Sequence, residues 1–214
     1  MSYMKFSTKW AANLGKIHHL GEEKQAVLAY AIEILTLNIV NTIFILTMGW
    51  IIGAFWGTLT CLLTIAAFRH NAGGGHSESP WRCSLVTIIV FPLLALASHY
   101  VSTWQPFYTD LLSLVSIVVG FAFIVLYAPV DNPKAPIISP VRRKRLKIIA
   151  LLIMMIAAII IVGLKFSGWE NASEIRFCLV LSILWFSLNL TPLGNSLWCF
   201  IDRIGIKSGR RCTR

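Results

Sequence analysis

Lysine and arginine are absent from Ala26 to Phe68, a stretch about twice as long as one membrane-spanning helix needs. The run therefore divides in two. Met48-Gly49-Trp50 supplies the break, with Trp50 as an interface aromatic. Helices are predicted at about 26–47 and 50–68. A polar, glycine-rich loop follows, from Arg69 to Arg82. Further apolar runs predict spans at about 83–102, 107–128, 148–166 and 175–201. Between them lie a turn at Gln105-Pro106, a segment 129–147 with four prolines, and Gly168-Trp169-Glu170-Asn171. Ahead of the first span, Trp10, Leu14 and Ile17 recur at helical spacing with Lys9 and Lys16 interspersed. That spacing predicts a short interfacial helix over residues 8–22, inside an N-terminal segment 1–25. The predicted class is all-α. It is a polytopic integral membrane protein with about six transmembrane helices in a single membrane domain, 26–201. That domain carries the loop 69–83 and a basic loop 129–147, and a basic tail, 202–214, follows.

Composition strengthens this picture. Only 13% of the residues are charged and 57% are hydrophobic, against ~25% charged in an ordinary soluble domain. The net charge of +10 would suggest nucleic acid in a soluble protein. Here hydrophobicity excludes a soluble nucleic-acid binder, and topology and anionic lipid headgroups explain the charge. With six spans, 17 of the 19 lysines and arginines collect on one side, and only Lys165 and Arg176 fall on the other. The positive-inside rule then puts both termini and the 69–82 loop in the cytoplasm of a cell-membrane protein. The five cysteines, Cys61, Cys83, Cys178, Cys199 and Cys212, match neither a zinc pattern nor a disulfide framework. No cofactor is expected.

The candidate chemistry is concentrated in the loop. Gly73-Gly74-Gly75 precede His76. They allow positive φ and close approach to a substrate, or they form only a flexible turn. Ser79-Pro80 reads as a helix start, with Ser79 as N-cap and Pro80 as the first helical residue. Cys83 then falls in the first helical turn. Unpaired N–H groups and the positive end of the helix dipole lie there, and with Arg82 they favour a thiolate. The plainer reading is an apolar cysteine at a membrane edge. His76 stands seven residues before Cys83. It is placed to serve as general base and then as general acid, or it is simply solvated. His70 and His76 lack a third metal ligand at useful spacing, so no metal site is expected. Glu33 lies within the first span, where an acid needs a partner. It orients His76 or Arg69, or it packs with Asn38 or Asn41.

On these residues the chain resembles the accessory gene regulator protein B (AgrB) family, membrane cysteine endopeptidases that mature quorum-sensing peptides. The family pattern is an Arg, a Gly-Gly pair, a His, and a Cys seven residues after the His, often preceded by Arg. Here these are Arg69, Gly73-Gly74, His76 and Arg82-Cys83. Tyr30-Ala31-Ile32-Glu33-Ile34-Leu35, Ala128-Pro129-Val130-Asp131-Asn132 and Leu190-Thr191-Pro192-Leu193-Gly194 resemble the family in the same order. Two departures stand out: Ser77 replaces the usual Ala after the His, and the segment after Asp131 is not Thr-rich.

The resemblance implies a homodimer acting on an AgrD-type precursor peptide. Cys83 and His76 would be catalytic, with Arg69, Gly73, Gly74, Gly75 and Glu33 supporting. Tail cleavage through a Cys83 thioester would be followed by thiolactone or lactone closure. The basic run Arg142, Arg143, Lys144, Arg145 and Lys147 would hold an acidic peptide tail, or would only fix topology. A peptide exporter without covalent catalysis needs the same spans but has no use for Cys83 at a helix start.

Overall fold

A proline after a polar residue starts four helices, at Pro80, Pro106, Pro140 and Pro192. The computed structural model describes residues 5–17, 21–75, 77, 79–131 and 138–203. Among them are eight helices and no strand: α1 (Lys5–Ile17), α2 (Glu22–Ile51), α3 (Phe55–Ala72), α4 (Pro80–Ser102), α5 (Pro106–Tyr127), α6 (Pro140–Lys165), α7 (Ala172–Leu190) and α8 (Pro192–Arg203). The chain divides into two compact units, Met1–Phe44 and Ile45–Arg214.

In the first unit, α1 begins earlier than the predicted 8–22. Phe6 and Trp10, one turn apart with ring centroids 5.3 Å apart, extend its apolar face toward the N-terminus. Both rings are exposed, while Ser7 and Ala11 are buried. Glu33 is also buried in this unit.

Five helices are long and apolar enough to cross a membrane: α2, α4 from Trp81, α5, α6 and α7. That is the composition of a multi-pass membrane protein. The expected span at 50–68 is the helix α3, whose last turn carries Arg69, His70 and Asn71 and lowers its apolarity. The break before it falls at Gly53, with φ +74°, and not at Gly49. Gly49 stays helical, and the Thr58 side chain fills the space where a Cβ would stand. The expected span at 175–201 is two helices, α7 and α8. Pro192 has no N–H to continue α7 and starts α8 instead. The basic run is not in a loop. Ser139 caps α6 by accepting the Arg142 N–H at 3.4 Å, so Arg142, Arg143, Lys144, Arg145 and Lys147 form the first two turns of that helix.

The second unit is built around α7, which packs against α3, α4, α5, α6 and α8. Its core joins Phe68, Ile124, Met154, Phe177, Ile183 and Phe186, with Phe68 and Phe186 stacked at 4.6 Å. A second cluster gathers Ile45, Cys61, Phe91 and Cys178. The opposite surface of α6 exposes Leu152, Ile156 and Ile159, as a lipid-facing side does. Arg176 is buried. Its Nη2 donates to Asp110 at 2.8 Å and to Ser113 at 2.9 Å, while its buried Nε has no partner, and Lys165 reaches the same carboxylate at 2.8 Å. Pairing of this kind makes a charge tolerable inside a bundle.

Without a hydrophobic drive between helices in lipid, close backbone approach matters, and small residues permit it. A Cβ at Gly57 of α3 would stand 2.8 Å from Cys178 Sγ and 2.9 Å from Glu174 Oε1. Gly57→Leu is expected to lower stability by roughly 1–3 kcal/mol through overpacking. Gly163 in α6 has nothing within 4 Å of its Cβ position, so Gly163→Ala is expected to raise stability by roughly 0.5–1 kcal/mol. Thermal unfolding in detergent checks both, and equal midpoints for the two variants would refute this packing account.

Candidate active site

The site lies in the second unit, where the end of α3 meets the start of α4. Gly73 takes φ +74° and Gly74 φ +125°, conformations that side chains rarely adopt. Gly73 N–H donates to Arg69 O at 3.1 Å and ends α3. Each glycine also passes close to a neighbouring segment. A Cβ at Gly73 would stand 2.7 Å from Val130 O, and one at Gly75 would stand 2.8 Å from Trp198 Cδ1. Val130 N–H donates to Ala72 O at 2.9 Å, and Gly75 N–H donates to Asn189 O at 2.9 Å. The glycine loop is therefore held between the 128–131 turn, the end of α7 and α8.

A small open cavity of about 20 Å³ lies beside the loop, lined by Ile65, Arg69, the three glycines, Trp185, Phe186 and Asn189. It has room for about one water-sized group.

The chain then turns into α4. Ser79 occupies the N-cap position and Pro80 the first helical position, as the sequence predicts, but the Ser79 side chain makes no capping bond. Its N–H instead donates to Ser77 Oγ at 3.1 Å. Cys83 N–H donates to Ser79 O at 3.1 Å, which places the cysteine in the first turn. Cys83 is a half-buried free thiol. Arg69 Nη2 donates to its Sγ at 3.5 Å. The last turn of α3 thus brings a guanidinium to the sulfur from fourteen residues away in the chain. Such a contact stabilises negative charge on sulfur wherever it develops.

His76 lies outside the described residues. Ser77, next to it, is buried. Its hydroxyl donates to the Asp202 carboxylate of α8. Glu33 belongs to the first unit, whereas Arg69, the glycines and Cys83 belong to the second. In the basic run, Arg143 pairs with Asp131 at 3.0 Å and Lys147 donates to Val125 O at 2.6 Å. Arg142, Lys144 and Arg145 are exposed. Among the described residues no three His, Cys, Asp or Glu side chains converge as metal ligands.

Sequence reasoning missed three residues at this site. Asn189 accepts the Gly75 N–H through its carbonyl and the Trp198 Nε1–H through Oδ1 at 2.6 Å. Asp202 accepts from Ser77. The only sequence signal for them was the Thr191-Pro192 break, which marks α8 as a separate element able to fold back.

Comparison with known proteins agrees with the motif. The family model described as Accessory gene regulator B matches residues 7–190. The chain is 27% identical over 186 residues to an AgrB-like protein 2 of Clostridium perfringens (strain 13 / Type A), covering 84% of this chain and 87% of that one. It is 31% identical over 151 residues to accessory gene regulator protein B of Staphylococcus carnosus (strain TM300), covering 71% of this chain and 76% of that one. The Staphylococcus aureus (strain Newman) protein of the same name is 30% identical over 159 residues, covering 73% and 80%. No solved structure matches the chain. With a family model matched over most of its length and relatives of that name at this identity, the chain belongs to the accessory gene regulator B family.

Proposed function

We propose that this chain is a membrane-embedded cysteine endopeptidase of the accessory gene regulator quorum-sensing system, acting on an AgrD-type precursor peptide. The observation that carries the reading is the Arg69 Nη2 to Cys83 Sγ contact at 3.5 Å. It singles out one thiol, at a helix start beside a glycine loop, with a cation aimed at its sulfur. The other two free cysteines described, Cys61 and Cys178, are buried in the bundle.

The reaction has two acyl transfers. Cys83 sulfur attacks a precursor carbonyl while its proton passes to His76. The C–N bond breaks, His76 protonates the departing amine, and the C-terminal tail leaves. The rest of the peptide remains on Cys83 as a thioester. An internal Cys or Ser of the peptide then attacks that carbonyl, forming a thiolactone or lactone and returning the proton to the Cys83 sulfur. Thioester exchange onto a thiol changes the energy little, so water must be kept from the intermediate. A half-buried sulfur at the bilayer edge suits that need. In the glycine loop the Gly73 and Gly75 N–H groups are already engaged, so the candidate oxyanion donors are the Gly74 N–H and those of Trp81 and Arg82 in the first turn of α4. The site faces the cytoplasm in this reading, on the side that collects most of the lysines and arginines. The exposed Arg142, Lys144 and Arg145 lie on that side too and attract an acidic tail, besides fixing topology.

The test is co-expression with the candidate precursor, followed by mass spectrometry of the full-length protein. The expected result is an adduct on the Cys83 fragment of precursor-minus-tail mass, labile to hydroxylamine. Cleavage that proceeds in Cys83→Ala as in wild type would overturn the reading and favour peptide export without covalent chemistry.

A further inference from the structure

The helix α8 follows the stretch matched by the family model, which ends at residue 190, yet it holds the reactive turn at both ends. At one end, Ser77 Oγ donates to the Asp202 carboxylate, and Ser77 is covalently next to His76. At the other end, Arg82 Nη1 donates to the carbonyl oxygens of Ile201, at 3.1 Å, and of Asp202. The Arg82 guanidinium also lies 3.9 Å from the Asp202 carboxylate, and Arg82 is covalently next to Cys83. Trp198, one turn earlier in α8, anchors the helix to Asn189, and Asn189 O in turn holds the Gly75 N–H. Ser77 is only 5% exposed, so its hydroxyl requires a partner. Here that hydroxyl finds Asp202.

We propose that α8 is a clasp on the turn and that Asp202 is its positioning residue, holding Ser77 and Arg82, the chain neighbours of His76 and Cys83, without touching the substrate. This rests on the cysteine-peptidase reading above. Asp202 lies 126 residues after His76, so only the fold-back of α8 at Pro192 brings it to the turn. An error of about 1 Å in the relative placement of catalytic groups costs on the order of 100-fold in rate. A clasp that grips the residues next to both groups acts on that quantity.

The test uses the purified full-length protein in detergent and a fluorescein-labelled AgrD-type precursor, with kcat and KM measured separately. For Asp202→Ala, kcat is expected to fall on the order of 10- to 100-fold with KM nearly unchanged. Asp202→Asn keeps an oxygen that accepts from Ser77 and leaves the Arg82 bonds to the backbone carbonyls in place. It is expected to recover most of the lost kcat. Ser77→Ala removes the bond to Asp202 together with the acceptor of the Ser79 N–H, and leaves the Arg82 bonds to α8 in place. It is expected to lower kcat by roughly fivefold at an unchanged thermal midpoint, and it decides the matter if Asp202→Ala fails to fold. Wild-type kcat in Ser77→Ala and in folded Asp202→Ala would overturn the clasp. So would an Asp202→Asn variant no better than Asp202→Ala, since that pattern reports general loss of structure. Cys83→Ala run in parallel separates the two levels. If it is inactive while Asp202→Ala is normal, the clasp alone fails. If it cleaves normally, the peptidase reading fails and the clasp with it.

Discussion

Cys83→Ala is expected to abolish tail cleavage, with a loss on the order of 10,000-fold or more. The variant removes the only atom in the proposed mechanism that forms a bond to the peptide, and Arg69 then has no sulfur to face. Cys83→Ser should be nearly as inactive. A serine hydroxyl holds its proton far more tightly than a thiol, and a site arranged for a cysteine supplies no stronger base. His76→Ala is expected to lose on the order of 100- to 10,000-fold, the usual range for a positioned acid–base group. Arg69→Ala should lose less, on the order of 10- to 100-fold, because one charge-assisted hydrogen bond contributes about 1.5–3 kcal/mol. Precursor cleavage followed by mass spectrometry ranks the four variants. A His76→Ala protein as active as wild type would remove His76 from the mechanism. Equal losses in all four would point to misfolding rather than chemistry.

Gly73→Ala is expected to lower kcat on the order of 100-fold, although residue 73 touches no reacting atom in the mechanism. Gly73 has φ +74° and ψ −140°, a combination that costs a residue with a Cβ about 1–3 kcal/mol. The added carbon would also stand 2.7 Å from Val130 O. That carbonyl cannot yield cheaply, since the Val130 N–H is tied to Ala72 O at 2.9 Å. The backbone of the loop must therefore move, and His76 follows it directly in the chain. Gly53→Ala supplies the control. Gly53 has the same φ of +74° but nothing within 4 Å of its Cβ position, and it lies at the far end of α3 from the loop. It should lose roughly 1–2 kcal/mol of stability and keep its kcat. Cleavage kinetics and thermal midpoints on both variants decide. Normal kcat in Gly73→Ala would show that the loop backbone is not a precise part of the site.

Some helix starts and the glycine-rich loop were legible in the sequence because their causes are local. Ser79-Pro80 placed Cys83 in a first helical turn, and the structure puts it there. The same signal stands at Ser139-Pro140, where the N-cap and N1 proline extend α6 over the basic run predicted to lie in a loop. The break before α3 was placed at Gly49 when Gly53 supplies it. A glycine at a helix–helix contact and a glycine at a turn look alike until the neighbour, Thr58, is known. The sixth apolar run was read as continuous because Leu193, Leu197, Trp198 and Phe200 keep it hydrophobic past Pro192. Composition reported the membrane there and missed the corner.

The sequence by itself determined an all-helical, multi-pass architecture, the family, and the glycine-rich segment that leads to Cys83. Each depends on residue type and spacing within a few turns, and these act before any tertiary contact forms. The tertiary structure alone decided which side of each helix faces protein. Helices such as α3, α4 and α7 are apolar all round, so no stripe of hydrophobic residues marks the packed face. It alone joined Asp110 to Lys165 and Arg176, Arg69 to Cys83, and Asp202 to Ser77. These partners lie between 14 and 125 residues apart. The pairing of a buried polar group over such a distance is settled by the packing of α7 and the fold-back of α8 at Pro192, and no local rule encodes it.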